Sequence, residues 1–365
     1  MSNAKFYMHH ALQLAKLTIG QTSPNPSVGA VIVKDGVVVG TGTHLIRGEA
    51  HAEVHAINQA GDLAKDADMY VTLEPCSHEG KTPPCANAII EAGIKKVYIA
   101  TLDPNPKVSG RGVEMLKKAG IDVEIGLLEE EALEINQSFF YFMKNNRPFI
   151  TLKTAVSMDG KMTANSGDSK WITSEKSRLD VHMNRHKHDA ILVGSETILK
   201  DDPLLTTRLP HGGISPIRII LDTSLSIPLH AKVLTNDDAE TIVVCTEKAD
   251  PNKIKQIEEI DHATVLPLKG NKINLQTLMD ELTRRKILSI YVEGGSTVHS
   301  SFIQEQLFNE IHLYMAPKLI GGEKSLSFYN FLGAEFVKDA VPIEFKQVER
   351  IGDDLKIIAS RQGEG

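Results

Sequence analysis

The sequence predicts an α/β protein of two domains, 1–145 and 146–365, each built on a mostly parallel sheet. Three observations carry that expectation. Strand-like apolar runs alternate with helical patterns along the whole chain. At 365 residues it is too long for one ordinary core. And Asn145-Asn-Arg-Pro148 reads as a linker, followed at once by a new apolar strand.

Residues 5–19 carry apolar side chains at helical spacing, ended by Gly20. Asp35-Gly36 between the apolar runs 28–33 and 37–41 signals a hairpin. A helix over 52–60 precedes a strand at 69–73. Helix 86–92, strand 96–100, helix 112–119, strand 123–125 and one long helix over 127–144 complete the first half. In the second half, strand 149–156 leads to helix 174–185 and to strands 190–193, 217–221 and 241–245. Helix 275–285, strand 288–292, helix 297–304 and strand 310–315 continue the alternation. The runs 345–350 and 355–359 form a closing hairpin around Gly352-Asp-Asp354.

Net charge is −7, with 41% hydrophobic and 24% charged residues, which describes a globular chain without the basic footprint of a nucleic-acid binder. That composition argues against a tRNA-acting enzyme. No signal pattern or membrane-length apolar run is visible, and three cysteines make no disulfide framework, so a cytoplasmic protein is expected. Cys245 lies in an apolar run and reads as core.

The other two thiols stand in Thr72-Leu-Glu-Pro-Cys-Ser-His-Glu-Gly-Lys-Thr-Pro-Pro-Cys85, downstream of His51-Ala-Glu53. One His and two Cys make a three-ligand zinc set that leaves the fourth tetrahedral position open. Glu53, two residues from the ligand His51, is placed to move protons at that position. The pattern is that of zinc deaminases of bases, H-x-E…P-C-x-x-C, except that eight residues separate Cys76 from Cys85. Gly80 and Pro83-Pro84 suit an excursion that returns Cys85 beside Cys76 at a helix start. The competing reading is a closed structural site with His78 as fourth ligand, in which Glu53 would have no task.

With Ser23-Pro-Asn-Pro-Ser-Val-Gly29 added, the first half resembles the cytidine-deaminase-like superfamily. Its long Cys-to-Cys loop resembles that of the bifunctional riboflavin-biosynthesis deaminase/reductases. The second half agrees through Lys153-Thr-Ala-Val-Ser-Met-Asp-Gly-Lys161, Trp171-Ile-Thr173, the stretch 194–208 and Val292-Glu-Gly-Gly-Ser296, which resemble that family's dihydrofolate-reductase-like domain. The resemblance implies two consecutive steps on one phosphoribosyl pyrimidine. Zinc-dependent hydrolysis of a ring amino group comes first, and NADPH-dependent reduction of the ribosyl group to ribityl follows.

In the first site the resemblance implies zinc on His51, Cys76 and Cys85, Glu53 as acid/base, and substrate contacts from Asn25, His44, His78 and Lys81. In the second it implies nucleotide contacts from Ala155, Trp171, Thr197, Asp201 and Thr223. The run Gly295, Ser296, Thr297, Val298, His299, Ser300 and Ser301 would hold the cofactor phosphates. Ser169, Arg185, Leu205, Arg208 and Glu293 would meet substrate. No G-x-G-x-x-G is present, so a Rossmann site is not expected. Glycines after a strand and before a helix would let backbone N–H groups reach a phosphate. Two arginines suit the substrate phosphate. Lys153 and Asp201 are both candidates for the proton donor in reduction. On residue chemistry alone NADPH and NADH stay open. His182, His186 and His188 sit at a helix end but lack a completing carboxylate or Cys, so a solvated or substrate-facing surface is expected there. A small-molecule enzyme is expected, with no nucleic-acid or membrane partner, assembling as a homo-oligomer as the family implies.

Overall fold

The computed structural model describes residues 3–77, 83–105, 109–327, 329 and 333–362. The chain divides into two compact units, Met1–Arg147 and Pro148–Gly365.

The first unit holds a five-stranded sheet of β1 (Gly29–Lys34), β2 (Val37–Thr43), β3 (Asp68–Val71), β4 (Lys96–Ile99) and β5 (Asp122–Ile125), in the order β2-β1-β3-β4-β5. β1 runs antiparallel to both β2 and β3, while β3, β4 and β5 are parallel. Alternate residues of β1 face opposite layers. Ala30 and Ile32 pack with Ala52, Ala56, Ile89 and Leu116 from helices on one face. Val31 and Val33 pack with Met8, Ala11 and Leu12 from helix Asn3–Lys16 on the other. Helix Ala52–Ala60 lies very close on β2. An added Cβ at Gly40 would fall 2.2 Å from the Ala56 carbonyl oxygen, and one at Gly42 2.1 Å from that of Ala52.

The expected long helix over 127–144 is instead two, Glu129–Ile135 and Gln137–Asn145. Buried Asn136 breaks it. Its Oδ1 accepts from Ser27 N at 2.8 Å and its Nδ2 donates to Ser27 O at 2.9 Å, a pairing with the chain ahead of β1 that helical geometry does not accommodate.

Among the described residues the second unit holds nine strands: β6 (Phe149–Ser157), β7 (Ala190–Gly194), β8 (Ile217–Leu221), β9 (Thr241–Thr246), β10 (Ala263–Leu268), β11 (Ser289–Val292), β12 (Glu310–Ala316), β13 (Ile343–Ile351) and β14 (Asp354–Arg361). Their order is β10-β9-β8-β7-β11-β6-β12-β14-β13, parallel as far as β12 and antiparallel through the closing hairpin. Ile150, Leu152, Leu192 and Ile290 pack on one face with helices Leu275–Arg284 and Ser296–Gln304. Ile191, Val193, Ile220 and Cys245 face the other, against Ile198, Val233 and Ile257.

Sequence periodicity gave no sign of β10, of helix Pro251–Glu258 or of helix Ser195–Asp201. Pro267 argues against a strand, but β10 is the sheet's edge, where a missing N–H need not break a ladder. The helix Ser195–Asp201 spans only seven residues, too few to show a period.

Candidate active sites

His51 is the N-cap of helix Ala52–Ala60, in extended conformation. Cys85 opens helix Cys85–Glu91 after Pro84, so two of the three expected ligands stand at electropositive helix starts. Cys76 lies beyond β3, in a segment whose Thr72 bonds to both the N–H and the C=O of Gly29. Cys85 N donates to Cys76 Sγ at 3.3 Å, and Ala86 N to Cys76 O at 3.2 Å. The excursion between the cysteines therefore returns.

His51 Nδ1 lies 3.2 Å from Cys85 Sγ and 3.6 Å from Cys76 Sγ. Ligands at zinc's usual bond lengths in a tetrahedron stand ~3.6 Å apart, nitrogen to sulfur. The donor set fits zinc in both chemistry and spacing, and among the described residues it is the group of His, Cys and acidic side chains that could hold an ion.

The hydrogen bond with Cys85 pulls the Cys76 thiol well below its ordinary value, helped by His51 and by Cys85 N–H. Cys85, the partner left with the proton, is pushed up. Glu53 is 3% exposed and is pushed up to about 7, first by burial and then by the charge of Cys76. That value suits a group that must both accept and give a proton near neutrality.

His44 is buried, its ring 5.0 Å from that of His51. Its Nε2 accepts from Asn25 Nδ2 at 3.2 Å, so Nδ1 carries the proton donated to Ala50 O at 3.3 Å. Burial holds it neutral. Both ring nitrogens are occupied, and His44 orients Asn25. His78 and Lys81 lie outside the described residues.

One buried carboxylate was not singled out from sequence. Glu74 accepts backbone N–H bonds from Asp103, Gly110, Gly112 and Val113, at 2.9–3.3 Å, and ties that segment beside Pro75-Cys76. An acidic residue inside the otherwise apolar run ahead of Pro75 was the available signal.

In the second unit, the carboxyl ends of β8, β7, β11, β6 and β12 lie side by side, where parallel sheets bind ligands. Beyond them lie Thr223, the helix with Thr197 and Asp201, Glu293-Gly-Gly295, the segment with Ser169 and Trp171, and Lys318. Lys153, on β6, is not on an edge, because β11 and β12 flank it. Its Nζ lies 3.6 Å from Glu293 Oε2. Arg185 grips the same carboxylate through Nε at 2.6 Å and Nη2 at 3.1 Å, and gives Nη1 to Thr206 O at 3.0 Å. Burial opposes the Glu293 charge, but Arg185 and Lys153 outweigh it and hold the carboxyl down at about 2.

Arg185 is paired with Glu293 through both Nε and Nη2. Arg208 is exposed and uses Nη1 on Thr206. Asp201 pairs with Lys170 at 3.0 Å. Leu205 is buried in the core with φ +56°. His299 is fully buried, with Nε2 on Val292 O, and the Ser300 hydroxyl is turned back on Ser296 O. The three histidines are not a solvated cluster. His182 accepts from Arg208 N, His186 from Ile214 N, and His188 sits between Thr151 and Asn184 O.

The start of helix Ser296–Gln304 fits an anionic cofactor. Gly295 is its N-cap and has no side chain to cap the first N–H groups. A Cβ on Gly295 would meet nothing within 4 Å, whereas one on Gly294 would lie 2.5 Å from Val298 Cβ. Trp171 is 63% exposed, and Ala155 packs against Val181, Tyr291 and Tyr314.

Residues 148–357 match the family model of the RibD C-terminal domain, and residues 1–101 that of the cytidine and deoxycytidylate deaminase zinc-binding region. The riboflavin biosynthesis protein RibD of Bacillus amyloliquefaciens is 48% identical over 97% of this chain and 95% of its own. That of Escherichia coli is 40% identical over 96% and 97%. Two solved structures superpose over nearly the whole chain. RibD of Acinetobacter baumannii gives a TM-score of 0.90 at 36% identity, covering 99% of both chains. A diaminohydroxyphosphoribosylaminopyrimidine deaminase/5-amino-6-(5-phosphoribosylamino)uracil reductase of Thermotoga maritima gives 0.88 at 37%, covering 98% and 99%.

Proposed function

The chain belongs to the RibD family, and we propose that His51, Cys76 and Cys85 hold the zinc of its deaminase while Glu53 moves the protons. It is a bifunctional riboflavin-biosynthesis enzyme, a cytidine-deaminase-like domain followed by a dihydrofolate-reductase-like one. Its first reaction is hydrolytic deamination of 2,5-diamino-6-(5-phosphoribosylamino)pyrimidin-4-one, and its second is NADPH-dependent reduction of the product's ribosyl group to ribityl. Residues 1–145 would carry the first and 146–365 the second.

The observation that carries the zinc assignment is the approach of His51 Nδ1 to both thiols beside a buried Glu53. Zinc held there supplies Lewis acidity and an open position. Glu53 then takes a proton from the attacking water and returns it to the departing amine, since ammonia and not amide must leave. Asn25, fixed by His44, would contact the pyrimidine rim.

In the reductase, NADPH supplies the hydride. Lys153 is favoured over Asp201 as proton donor, because it shares a buried carboxylate with Arg185 while Asp201 is half-exposed against Lys170. Glu293 would hold substrate hydroxyls, Arg208 its phosphate and Ser169 its rim. Trp171, Ala155, Thr197, Thr223 and the backbone of 295–298 would line the nucleotide, with Thr297 contributing its hydroxyl.

Among the described residues no helix is long and apolar enough to cross a membrane. The two zinc thiols must stay reduced, which favours the cytoplasm. Exposed Ile343, Phe345 and Val348 on the outermost strand β13 support assembly as a homo-oligomer.

The test is a two-stage assay of wild type and Glu53→Ala, ammonia release without nucleotide followed by NADPH oxidation on supplied deaminated intermediate. Ammonia release should fall about 100-fold or more while reduction persists. A variant that still deaminates at the wild-type rate removes Glu53 from the mechanism.

A further inference from the structure

We propose that Lys318 is a positioning residue for the dinucleotide, acting through the main chain of Trp171. The proposal rests on the reading above that Trp171 meets NADPH. β6 and β12 are adjacent and parallel, paired through Ser157 and Ala316 at their carboxyl ends. The segments that leave them are stitched together. Met158 N donates to Lys318 O at 2.8 Å, and the Asp159 carboxylate accepts from Ile320 N at 3.0 Å and Gly321 N at 2.7 Å. Farther on, Met162 N donates to Leu326 O at 2.8 Å and Leu326 N to Thr163 Oγ1 at 3.1 Å.

Lys318 Nζ crosses to the carbonyl oxygens of two successive residues, Trp171 at 3.0 Å and Ile172 at 2.7 Å. A lysine with no task at an exposed position would leave its ammonium to water. Here two of its three donors fix the peptide units that carry the indole. The ring is held on one face as well, with the Arg178 guanidinium 4.5 Å from its centre and Arg178 Nη1 on Thr173 O at 2.8 Å. Asp354 accepts from Ser174 N at 2.7 Å, just downstream.

The result is a large aromatic side chain that water reaches but that is anchored at its backbone and beneath its ring. Such a side chain is ready to be covered by a flat ligand, because the ordering cost of binding is already met in the free enzyme. Removing Lys318 releases the Trp171 peptide without touching any atom proposed to contact the substrate.

Trp171 is the chain's single tryptophan, so the test is optical. NADPH titrated into the full-length protein should quench indole emission, which overlaps the absorption of the dihydronicotinamide. Lys318→Met should raise the Kd from that titration about 10-fold, the scale of one charge-assisted hydrogen bond. The KM for NADPH should rise with it, with the change falling on KM and not on kcat at saturating NADPH. Lys318→Arg, which keeps N–H donors, should recover most of the affinity. Asp159→Asn loosens the same stitching from the other segment and should weaken binding in the same direction, which covers the case that Lys318→Met fails to fold. Wild-type affinity in Lys318→Met overturns the role of Lys318. Indole emission unmoved by NADPH that saturates turnover in wild type overturns the underlying placement of Trp171, and the inference with it.

Discussion

Replacing Glu293 by Gln keeps the shape of the side chain and removes the charge that Arg185 and Lys153 share. The carboxylate is 9% exposed, and its cations lie at 2.6 and 3.6 Å. Burial would push its carboxyl above the ordinary value of 4.5, yet the cations hold it at about 2. At 1.36 kcal/mol per unit, that depression corresponds to about 3 kcal/mol of folding stability at neutral pH. Because the folded value lies below the unfolded one, the contribution is complete above pH 4.5 and fades as pH falls toward 2. Glu293→Gln also strands two partly buried cations, so a loss of about 3 kcal/mol or more is expected at pH 7. Urea unfolding followed by Trp171 emission reports on the second unit alone, since that unit holds the only tryptophan. The wild-type advantage should be large at pH 7 and shrink steadily below pH 4.5. A gap that is absent at pH 7, or constant from pH 7 to pH 2, refutes the electrostatic account of this cluster.

Asn136→Ala leaves the N–H and C=O of Ser27 unpaired, which should cost about 2 kcal/mol and appear as faster amide hydrogen exchange at Ser27. Gly294→Ala forces a methyl to 2.5 Å from Val298 Cβ. A cost of about 1–3 kcal/mol is expected, with a raised KM for NADPH because the helix start must move. Cys85→Ser replaces a thiolate by a poor zinc ligand. Metal analysis after dialysis should show zinc well below one per chain, ammonia release should fall with it, and reduction of supplied intermediate should continue.

The zinc site was legible because metal chemistry restricts residue types: His51, Glu53, Cys76 and Cys85 announce themselves in any context. The reductase site was legible only as positions. That Arg185 is consumed by Glu293, or that Asp201 faces Lys170, depends on pairings between distant segments that no local pattern encodes. The helix over 296–304 was evident from its period. Which of its side chains turn inward is set by its packing on the sheet, and that packing buries His299. The break at Asn136 escaped for the same reason, since its partner is Ser27. Lys318 acts on main-chain atoms, which leave no trace in side-chain motifs, and Glu74 does the same, marked only by its charge within an apolar run.

The strand order of the second unit also governs how the enzyme can be made. His51, Cys76 and Cys85 have all left the ribosome before Phe149 is added, so the deaminase can close its core and bind metal early. β6 cannot do the same. Its neighbours begin at Ser289 and Glu310, and until both emerge Ile150, Leu152 and Val156 stand on a strand with two open edges. Synthesis interrupted between residues 160 and 288 should therefore yield a deaminating product that is prone to aggregate.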